Sequence, residues 1–527
     1  MTAVLKPRTK RQAKEAAGPY GKVGDAVAEL DERLGIAKGG RTFLDKIFPD
    51  HWSFMLGEIA LYSFVILLIT GIFLTLYFVP SQGLVKVPMN FPYKPLRGDT
   101  VSQAFMSTIN MSFNVRCGLL MRQMHHWACD IFVGSIVVHM ARVFFTGAFR
   151  KPRETNWLVG TTLLILAIAN GFLGYSLPDD LVSGTGIRIA DSIMLSVPVV
   201  GSYLSYFVFG GNFPGQVVIA RFFVIHVLLV PLIILGLVGA HLALLVRQKH
   251  TQFPGKGRTE RNVVGSPMFP VFIFKTQGFL FMTFGVTALL GAFAQINPIW
   301  QFGQYIPSNI SYAVQPDWYM GFLDGLLRIF PAWQWNAWGH TIPFEVTFPA
   351  VIFPGIVFNI AMAWPILERK FFGGDNEIHH LLDRPRDVPK RTAFGVAFFA
   401  LLATLFVASS TDVLANYFHV SLNTVLWTMR VLTIVIPLVA YPVTYKICLE
   451  LQGGGTAMGK RKRPNDVVRT AEGEYVATQA PVRPGDAHHE LDATPVPTFI
   501  AAAAVLSEGE AMAETSDESN GARVVDR

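Results

Sequence analysis

Four histidines in two long apolar segments are the residues of this chain whose types and spacing most clearly suggest chemistry. His125 and His139 are 14 residues apart, and His226 and His241 are 15 apart. On a helix, the members of each pair would lie roughly 21–22 Å apart along the axis. A 14-residue step returns to within about 40° of the starting face, and a 15-residue step passes it by about 60°. Two such helices side by side would offer two His–His clamps, one above the other, which suits two stacked b-type haems.

A histidine inside a membrane can also be a hydrogen-bonded packing residue. Two matched pairs favour metal ligation, and bis-His ligation fills both axial positions of a haem iron, so the chemistry implied is electron transfer. His126 competes with His125 as a ligand. Its 13-residue step to His139 turns the face by about −140°, so His125 is preferred.

Glycine pairs repeat the histidine spacing on neighbouring segments. Gly57 and Gly71 are 14 residues apart, and so are Gly160 and Gly174. Glycine allows the close backbone approach that a flat macrocycle needs, although it also serves ordinary helix packing. The matching spacing favours haem edges.

Arginines flank the histidines near the predicted helix ends. Arg122 precedes His125 by three residues, Arg142 follows His139 by three, and Arg221 precedes His226 by five. A guanidinium there could reach a haem propionate through charge-assisted hydrogen bonds. The alternative is that these side chains extend to the membrane interface.

The elements that position these residues follow from composition. Of 527 residues, 51% are hydrophobic and 15% are charged, which excludes an ordinary soluble protein. A membrane span needs about 20 apolar residues. We predict an all-α integral membrane protein with eight transmembrane helices, at about 53–78, 127–149, 157–177, 217–246, 271–294, 343–366, 393–411 and 424–449.

Four domains follow from this pattern. Residues 1–50 form a cytoplasmic lead, 51–250 a haem-bearing four-helix bundle, and 251–450 a second four-helix unit. Residues 451–527 are rich in Gly, Pro, Ala and charged residues, and we predict a mostly disordered tail.

Lysine and arginine report the topology. They concentrate in both tails and in every second connection, and all of these lie on one side if eight helices are counted. Because cationic residues are retained in the cytoplasm, we predict a multi-pass plasma-membrane protein with both termini cytoplasmic. The charges flank spans and form no aromatic-laced patch, so membrane lipid is expected as a neighbour and nucleic acid is not.

Two long connections fall on the opposite, outward side. One, about 178–216, has the periodicity of short surface helices. The other, about 295–342, contains Pro316-Asp317-Trp318-Tyr319. In isolation this motif would be read as a turn with interfacial aromatics, but long loops in a compact membrane protein usually have a function.

These motifs resemble cytochrome b of the respiratory quinol:cytochrome c oxidoreductase, the cytochrome bc complex, over residues 50–450. The resemblance rests on Arg122-x-x-His125, His139-x-x-Arg142, Arg221-x4-His226, the glycine pairs and Gly174-Tyr-x-Leu-Pro178. The 15-residue step to His241 and the sequence of 147–154 look closer to the plastoquinol branch, in which the two halves are separate polypeptides. The fused halves and polar tails resemble an actinobacterial member, which implies menaquinol as substrate.

The resemblance assigns roles to these residues. It implies that His125 and His226 hold a low-potential haem near the outer face, and that His139 and His241 hold a high-potential haem near the cytoplasm. Pro316, Asp317, Trp318 and Tyr319 look like the family's outward quinol-oxidation motif, with Asp317 as proton acceptor and Tyr319 supplying a hydroxyl. Gly186 falls at the offset that the family has on this side.

Several positions depart from the family. Asp317 replaces the usual Glu and is one methylene shorter, so a water bridge is expected between it and the quinol. Asp179 and Asp180 follow Pro178 where a Trp is usual. They are interpreted as solvated surface residues, with a role in proton exit as the alternative. Lys275-Thr276 lacks the carboxylate often found at the inward quinone site, which leaves Arg247, Lys249 and Lys275 as inward candidates. There is no C-x-x-C-H motif, and Met55 replaces the Cys that attaches a third haem, so no covalent haem is expected.

The function implied is that of a translocase subunit. Quinol would be oxidised at the outward site, with one electron passing to a Rieske iron–sulfur protein and on to a cytochrome c-type subunit. The other would cross the membrane through two b haems to an inward quinone site, with proton translocation. A homodimer, and association with a terminal oxidase, are also implied. The alternatives are a di-haem membrane anchor of another oxidoreductase and a secondary transporter.

Overall fold

A computed structural model describes residues 43–309, 315–337 and 339–452, a few residues between 29 and 40, and two short strands near the C-terminus. Within these ranges, eight helices are long and apolar enough to cross a membrane. The predicted fold class is therefore confirmed. In chain order the spans are Trp52–Thr75, Gly118–Phe145, Glu154–Tyr175, Val218–Gln248, Met268–Phe293, Phe344–Phe371, Pro389–Ala408 and Leu422–Leu451.

The second span begins earlier than hydropathy alone predicted. Its helix starts at Gly118, nine residues before the predicted 127, because Arg122, His125 and His126 are polar residues within a continuous helix. This places both His125 and His139 on one helix of 28 residues.

Packing places each histidine helix against a glycine helix. The second span packs on the first, and the fourth packs on the third. Between the two histidine levels lies an apolar layer that includes Phe64, Phe132 and Ile234. A second apolar cluster joins the seventh and eighth spans to a short helix, Gly321–Ile329, around Leu405.

The fourth span is not a uniform α-helix. It consists of an α-helix at Val218–Val224, a π-helical turn at Ile225–Leu229 and an α-helix at Val230–Gln248. A π-helical turn accommodates one extra residue, and such turns are frequent at functional sites. Here the turn contains His226. A similar turn occurs at Phe348–Ile352, whereas the segment Met268–Phe272 is kinked at Phe269, which has extended backbone angles.

The connections contain short helices and two-stranded pairs. The predicted surface helices of the first long connection are Leu181–Leu195 and Gly201–Phe209. The remaining short helices are Gln103–Phe113, Ile299–Phe302 and Thr411–Tyr417, with 3-10 turns at Lys94–Leu96, Trp318–Met320 and Pro385–Asp387. Antiparallel pairs join Ile47–Phe48 to Ser266–Pro267, Leu84–Lys86 to Thr100–Ser102, and Gln334–Ala337 to His340–Pro343.

The two predicted four-helix units form one compact unit, which ends at Cys448. A separate C-terminal unit, Leu449–Arg527, contains an antiparallel pair of strands, Asp466–Arg469 with Tyr475–Thr478. Most of the predicted cytoplasmic lead and most of the predicted tail lie outside the described residues.

Candidate functional site

The structure places the side chains of His125 and His226 opposite each other; we call them the outer clamp, after the predicted topology. Their ring centroids are 6.1 Å apart, with the ring planes inclined by 78°. Nδ1 of His226 lies 2.9 Å from the carbonyl oxygen of Asn170, and Nδ1 of His125 lies 2.9 Å from the Thr70 hydroxyl. The Thr70 hydroxyl donates its own proton to the Ile66 carbonyl, so His125 donates from Nδ1. Both rings therefore keep Nε2 free for a metal.

His139 and His241 form the inner clamp, one level further along the same two helices. The two rings lie within electrostatic range of each other. His241 lies beside the backbone of Asn156, the equivalent of Asn170 at the outer level. Nδ1 of His139 is buried and has no hydrogen-bond partner among the described residues.

Each glycine of the two matched pairs faces one histidine. A Cβ atom built on Gly57 would lie 3.2 Å from His139 Cε1, and one on Gly71 would lie 3.3 Å from His125 Cε1. On the third span, a Cβ on Gly174 would lie 2.5 Å from His226 Cε1, and one on Gly160 would lie 3.5 Å from His241 Cε1. The glycines thus make room for the imidazole rings themselves, whereas the sequence had suggested contact with the macrocycle edge.

Arg122 and Arg142 lie buried next to the two clamps. Arg122 donates from Nη1 to the Asn297 carbonyl at 3.2 Å, and Arg142 stacks over the Phe54 ring at 4.3 Å. In each residue, Nε and Nη2 are buried and have no partner within the described part of the chain. Unpaired buried guanidinium donors fit the predicted haem propionates.

Arg221 is placed differently from the prediction. Its guanidinium is exposed and donates to the carbonyl groups of Phe207 and Val208 at the end of the Gly201–Phe209 helix. The contact satisfies the last carbonyls of that helix, and Arg221 is not among the described residues that line the cavity at the outer clamp.

Asp317 is held by two side chains at the predicted outward site. Its carboxylate oxygens lie 2.9 and 3.0 Å from Nε2 of His126, and the Tyr319 hydroxyl donates to it at 2.9 Å. His126 is thus a partner of the outward motif on the second span. The residue spacing had indicated His126 only as an alternative to His125 as an iron ligand.

Tyr319 is almost completely buried, and Gly171 makes room for it. A Cβ on Gly171 would lie 2.5 Å from the Tyr319 hydroxyl oxygen. Burial, together with the nearby Cys129 and Asp317, raises the pKa of the Tyr319 phenol well above its usual value, so it is a neutral hydrogen-bond donor. Trp318 packs against Gly134 of the second span.

One cavity joins the outer clamp to this motif. Its lining includes His125 and His226 as well as His126, Asp317 and Arg122. Pro316 and Gly186 are not among the described residues that line it, and Gly186 packs against the Tyr175 ring. A substrate in the cavity would contact a carboxylate on one side and approach an outer-level cofactor on the other.

Asp179 and Asp180 are not solvated surface residues, which corrects the sequence interpretation. They are only 5% and 0% exposed, because the connection that contains them packs against Gln304 and Tyr305 of the second long connection. Burial raises the pKa of both carboxyl groups to about 6.

At the predicted inward side, Lys275 pairs with Asp50 at 2.9 Å. The neighbouring Thr276 donates to Glu58 of the first span at 2.8 Å, and Glu58 also accepts from Tyr62 at 3.1 Å. A carboxylate is therefore present at this level, on the first span and not on the fifth, where the family often has one. Arg247 and Lys249 are exposed, and in the described ranges no side-chain hydrogen bond joins them to Lys275.

The residues present fit two b-type haems. Four imidazoles lie at two levels, with glycine clearance behind each ring and a buried, incompletely paired guanidinium at each level. This is the donor set that bis-His haem ligation requires.

Comparison with known proteins identifies the family of this chain. The model "Cytochrome b(N-terminal)/b6/petB" matches residues 130–304. The cytochrome bc1 complex cytochrome b subunit of Streptomyces coelicolor is 49% identical over 467 residues, which cover 88% of this chain and 85% of that relative. The chain belongs to the cytochrome b family. The predicted family is thereby confirmed.

Other relatives agree. The cytochrome bc1 complex cytochrome b subunit of Mycobacterium leprae is 48% identical over 88% of this chain and 85% of its own length. That of Corynebacterium diphtheriae is 47% identical over 90% and 87%. A solved structure titled "Hyperthermophilic respiratory Complex III" shares the fold, with a TM-score of 0.56 and 20% identity over 79% of this chain and all of that chain.

Among the contacts that sequence reasoning missed, one has a recognisable spacing in the sequence. Asn156 and Asn170 are 14 residues apart and each lies four residues before a glycine of the third span. Their backbone therefore faces the histidine that the glycine admits. The contacts of His126 with Asp317 and of Glu58 with Thr276 join distant segments, and no spacing predicts them.

Proposed function

We propose that this chain is the di-haem, quinol-oxidising subunit of a quinol:cytochrome c oxidoreductase, with menaquinol as its substrate. The observation that carries the proposal is the single cavity lined by both the outer clamp and Asp317. It would bring a quinol that loses a proton to Asp317 next to an electron acceptor.

The chain's own residues would bind and position the quinol. Asp317 accepts a proton from the quinol hydroxyl, and His126 fixes the carboxylate through both oxygens. Tyr319 donates to the same carboxylate and remains neutral, while Trp318 supplies an apolar wall. With both oxygens of Asp317 already hydrogen-bonded, a water is expected to bridge it to the substrate.

The four histidines would hold the cofactors: His125 and His226 the low-potential haem, and His139 and His241 the high-potential haem. When bound, the haems supply one-electron transfer to an inward quinone site, while the second electron leaves to a Rieske iron–sulfur partner and a cytochrome c-type subunit. Arg122 and Arg142 would pair with propionates, and Lys275 and Glu58 would serve proton uptake at the inward quinone site.

The chain is a multi-pass membrane protein, and we place it in the plasma membrane with both termini in the cytoplasm. Proton release would then be outward and uptake inward. A homodimer within the complex, and association with a terminal oxidase, complete the proposal.

The test removes the proton acceptor and leaves the clamps intact. In the intact complex, Asp317→Asn with Tyr319→Phe should lower quinol oxidation by about 10²–10⁴-fold, the usual size of a general acid–base contribution. The b-type visible spectrum should not change. Asp99→Asn, an exposed aspartate in the connection between the first and second spans, should oxidise quinol at the wild-type rate.

A chain that loses none of its quinol oxidation on the double substitution, yet retains two haems, would be a membrane anchor for another oxidoreductase. A colourless protein would overturn the proposal as a whole.

A further inference from the structure

We propose that Asp180, together with Asp179, receives the proton that leaves the outward quinol site and passes it toward the outer solvent. The inference rests on the proposed quinol oxidation. It concerns only the exit of the proton, so it can fail while quinol oxidation stands.

The two carboxylates are fixed in place by two connections. Asp180 accepts at Oδ2 from the Val182 backbone at 3.2 Å and caps the Leu181–Leu195 helix. The Asp179 carbonyl accepts from the Tyr305 backbone N–H at 3.0 Å. Asp179 has a φ of +56°, in the left-handed region that aspartate tolerates better than most residues. The pair is therefore held in a specific geometry.

One buried carboxylate oxygen of Asp180 lacks a hydrogen-bond partner among the described residues. Its side chain is fully buried, and Oδ1 has no hydrogen-bond partner in the ranges that the structure describes. Leaving such an oxygen without a partner is unfavourable by several times the thermal energy, so buried polar groups normally bind protein or water. Oδ1 is thus a position for a water or a proton.

The same region connects to the quinol cavity. The cavity lined by Asp317 also reaches Arg122, Asn297 and Pro178, and Pro178 directly precedes Asp179 in the chain. Arg122 lies within electrostatic range of Asp180, and two of its buried nitrogens are incompletely paired. Arg122 has two such nitrogens, so one can pair with a propionate while a water bound to the other links the quinol cavity to the aspartates through hydrogen bonds.

The charged and titratable groups around the pair determine when it can accept a proton. Arg122 faces it from the second span, and Ser102 donates to Asp179. Tyr305 lies beside Asp179 and also interacts with Arg188. Burial raises the pKa of both carboxyl groups to about 6, and for Asp179 the neighbouring Asp180 adds to the rise. The pair is therefore ionised and able to accept a proton above about pH 6, and protonated below it.

The step moves a proton and no electron. Quinol loses two electrons, one to each acceptor of the proposed function, and two protons. One quinol O–H bond breaks as the Asp317 carboxylate takes the proton, which passes to the Asp180 carboxylate and is then released to solvent. The other proton leaves with the electron that goes to the Rieske partner and takes no part in this route. No oxidant beyond the electron acceptors of the proposed function is required.

The test compares Asp180→Asn with wild type in the intact complex, using 2,3-dimethyl-1,4-naphthoquinol as the quinol and following reduction of the b-type absorption. Asparagine is as good a helix N-cap as aspartate, so the fold around Leu181 should be retained. The ratio of wild-type to variant rate should rise from about 1 at pH 5 to about 10 or more at pH 8, because wild type gains its acceptor as the pH passes 6. Asp180→Glu should restore most of the rate at pH 8.

The matched control is Asp191→Asn, a buried aspartate on the same helix that accepts from Ser205 at 2.5 Å. It should give a rate ratio that does not vary with pH. A pH-independent ratio for Asp180→Asn, or a wild-type rate at pH 8, would overturn the inference. If Asp180→Asn does not assemble, Asp179→Asn in the same assay decides in the same way. If the Asp317 variant loses activity but the ratio of wild-type to Asp180→Asn rate does not change with pH, only this exit route is refuted and the proposed quinol oxidation stands.

Discussion

The second span carries His125 and His139 on an uninterrupted α-helix, whereas the fourth span reaches from His226 to His241 through a π-helical turn at Ile225–Leu229. Fourteen residues of regular α-helix leave the second histidine about 40° short of the first one's face. Fifteen would carry it about 100° further. Because the π turn absorbs one residue, the fourth span has the angular relation of a 14-residue step.

The difference shows that sequence spacing has to be converted through local helix geometry. The two helices present matching pairs to each other although their residue counts differ. In the sequence, the extra residue indicated a branch of the family. In the structure it has a physical place, beside the outer clamp, where a π turn opens the backbone around His226.

The largest effect is expected when one exposed residue is deleted from each of the two histidine helices, the second and fourth spans. Deleting Val138, which is 51% exposed on the regular helix, rotates His139 by about 100° relative to His125. One haem per chain should be lost. Deleting Leu228, which is 62% exposed within the π turn, should convert the turn to α-helix and keep both haems.

The haem-to-protein ratio of the purified variants, from their reduced visible spectra, measures this effect. Equal haem content in the two deletion variants would contradict the role given to the π turn.

A smaller effect on haem binding is expected from alanine substitution of the two glycines of the third span, one at the outer and one at the inner level. Gly174→Ala would place a Cβ 2.5 Å from His226 Cε1, so the imidazole must move, whereas Gly160→Ala would make an ordinary 3.5 Å contact with His241. We expect Gly174→Ala to weaken the outer haem by about tenfold or more, comparable to loss of a supporting contact at a metal site. Gly160→Ala should retain both haems. Haem retention during graded detergent extraction measures the difference, and the reverse order of sensitivity would be inconsistent with these distances.

The two histidine clamps were predictable from sequence because their residues recur at a regular interval. Histidines and glycines on neighbouring helices repeat the same interval, and hydropathy locates the helices that carry them. The start of the second span at Gly118 was missed because Arg122, His125 and His126 lower the local hydropathy while the helix continues.

The remaining errors concern contacts between distant segments. Asp179 and Asp180 follow a helix-ending proline and look solvated in sequence, but the connection at Gln304 and Tyr305 covers them. The inward carboxylate, Glu58, lies on the first span and meets Thr276 of the fifth only after folding. No local pattern reports such contacts.

The central claim is that the two clamps each hold one haem. A redox titration of the purified chain in its complex, followed by the reduced b-type absorption, tests it most directly. We predict two haems per chain that titrate as two components of equal amplitude at different potentials, with only the outer-level component lost in His226→Leu and only the inner-level component lost in His241→Leu. A single component, or both components lost together in each variant, would contradict the two-clamp arrangement.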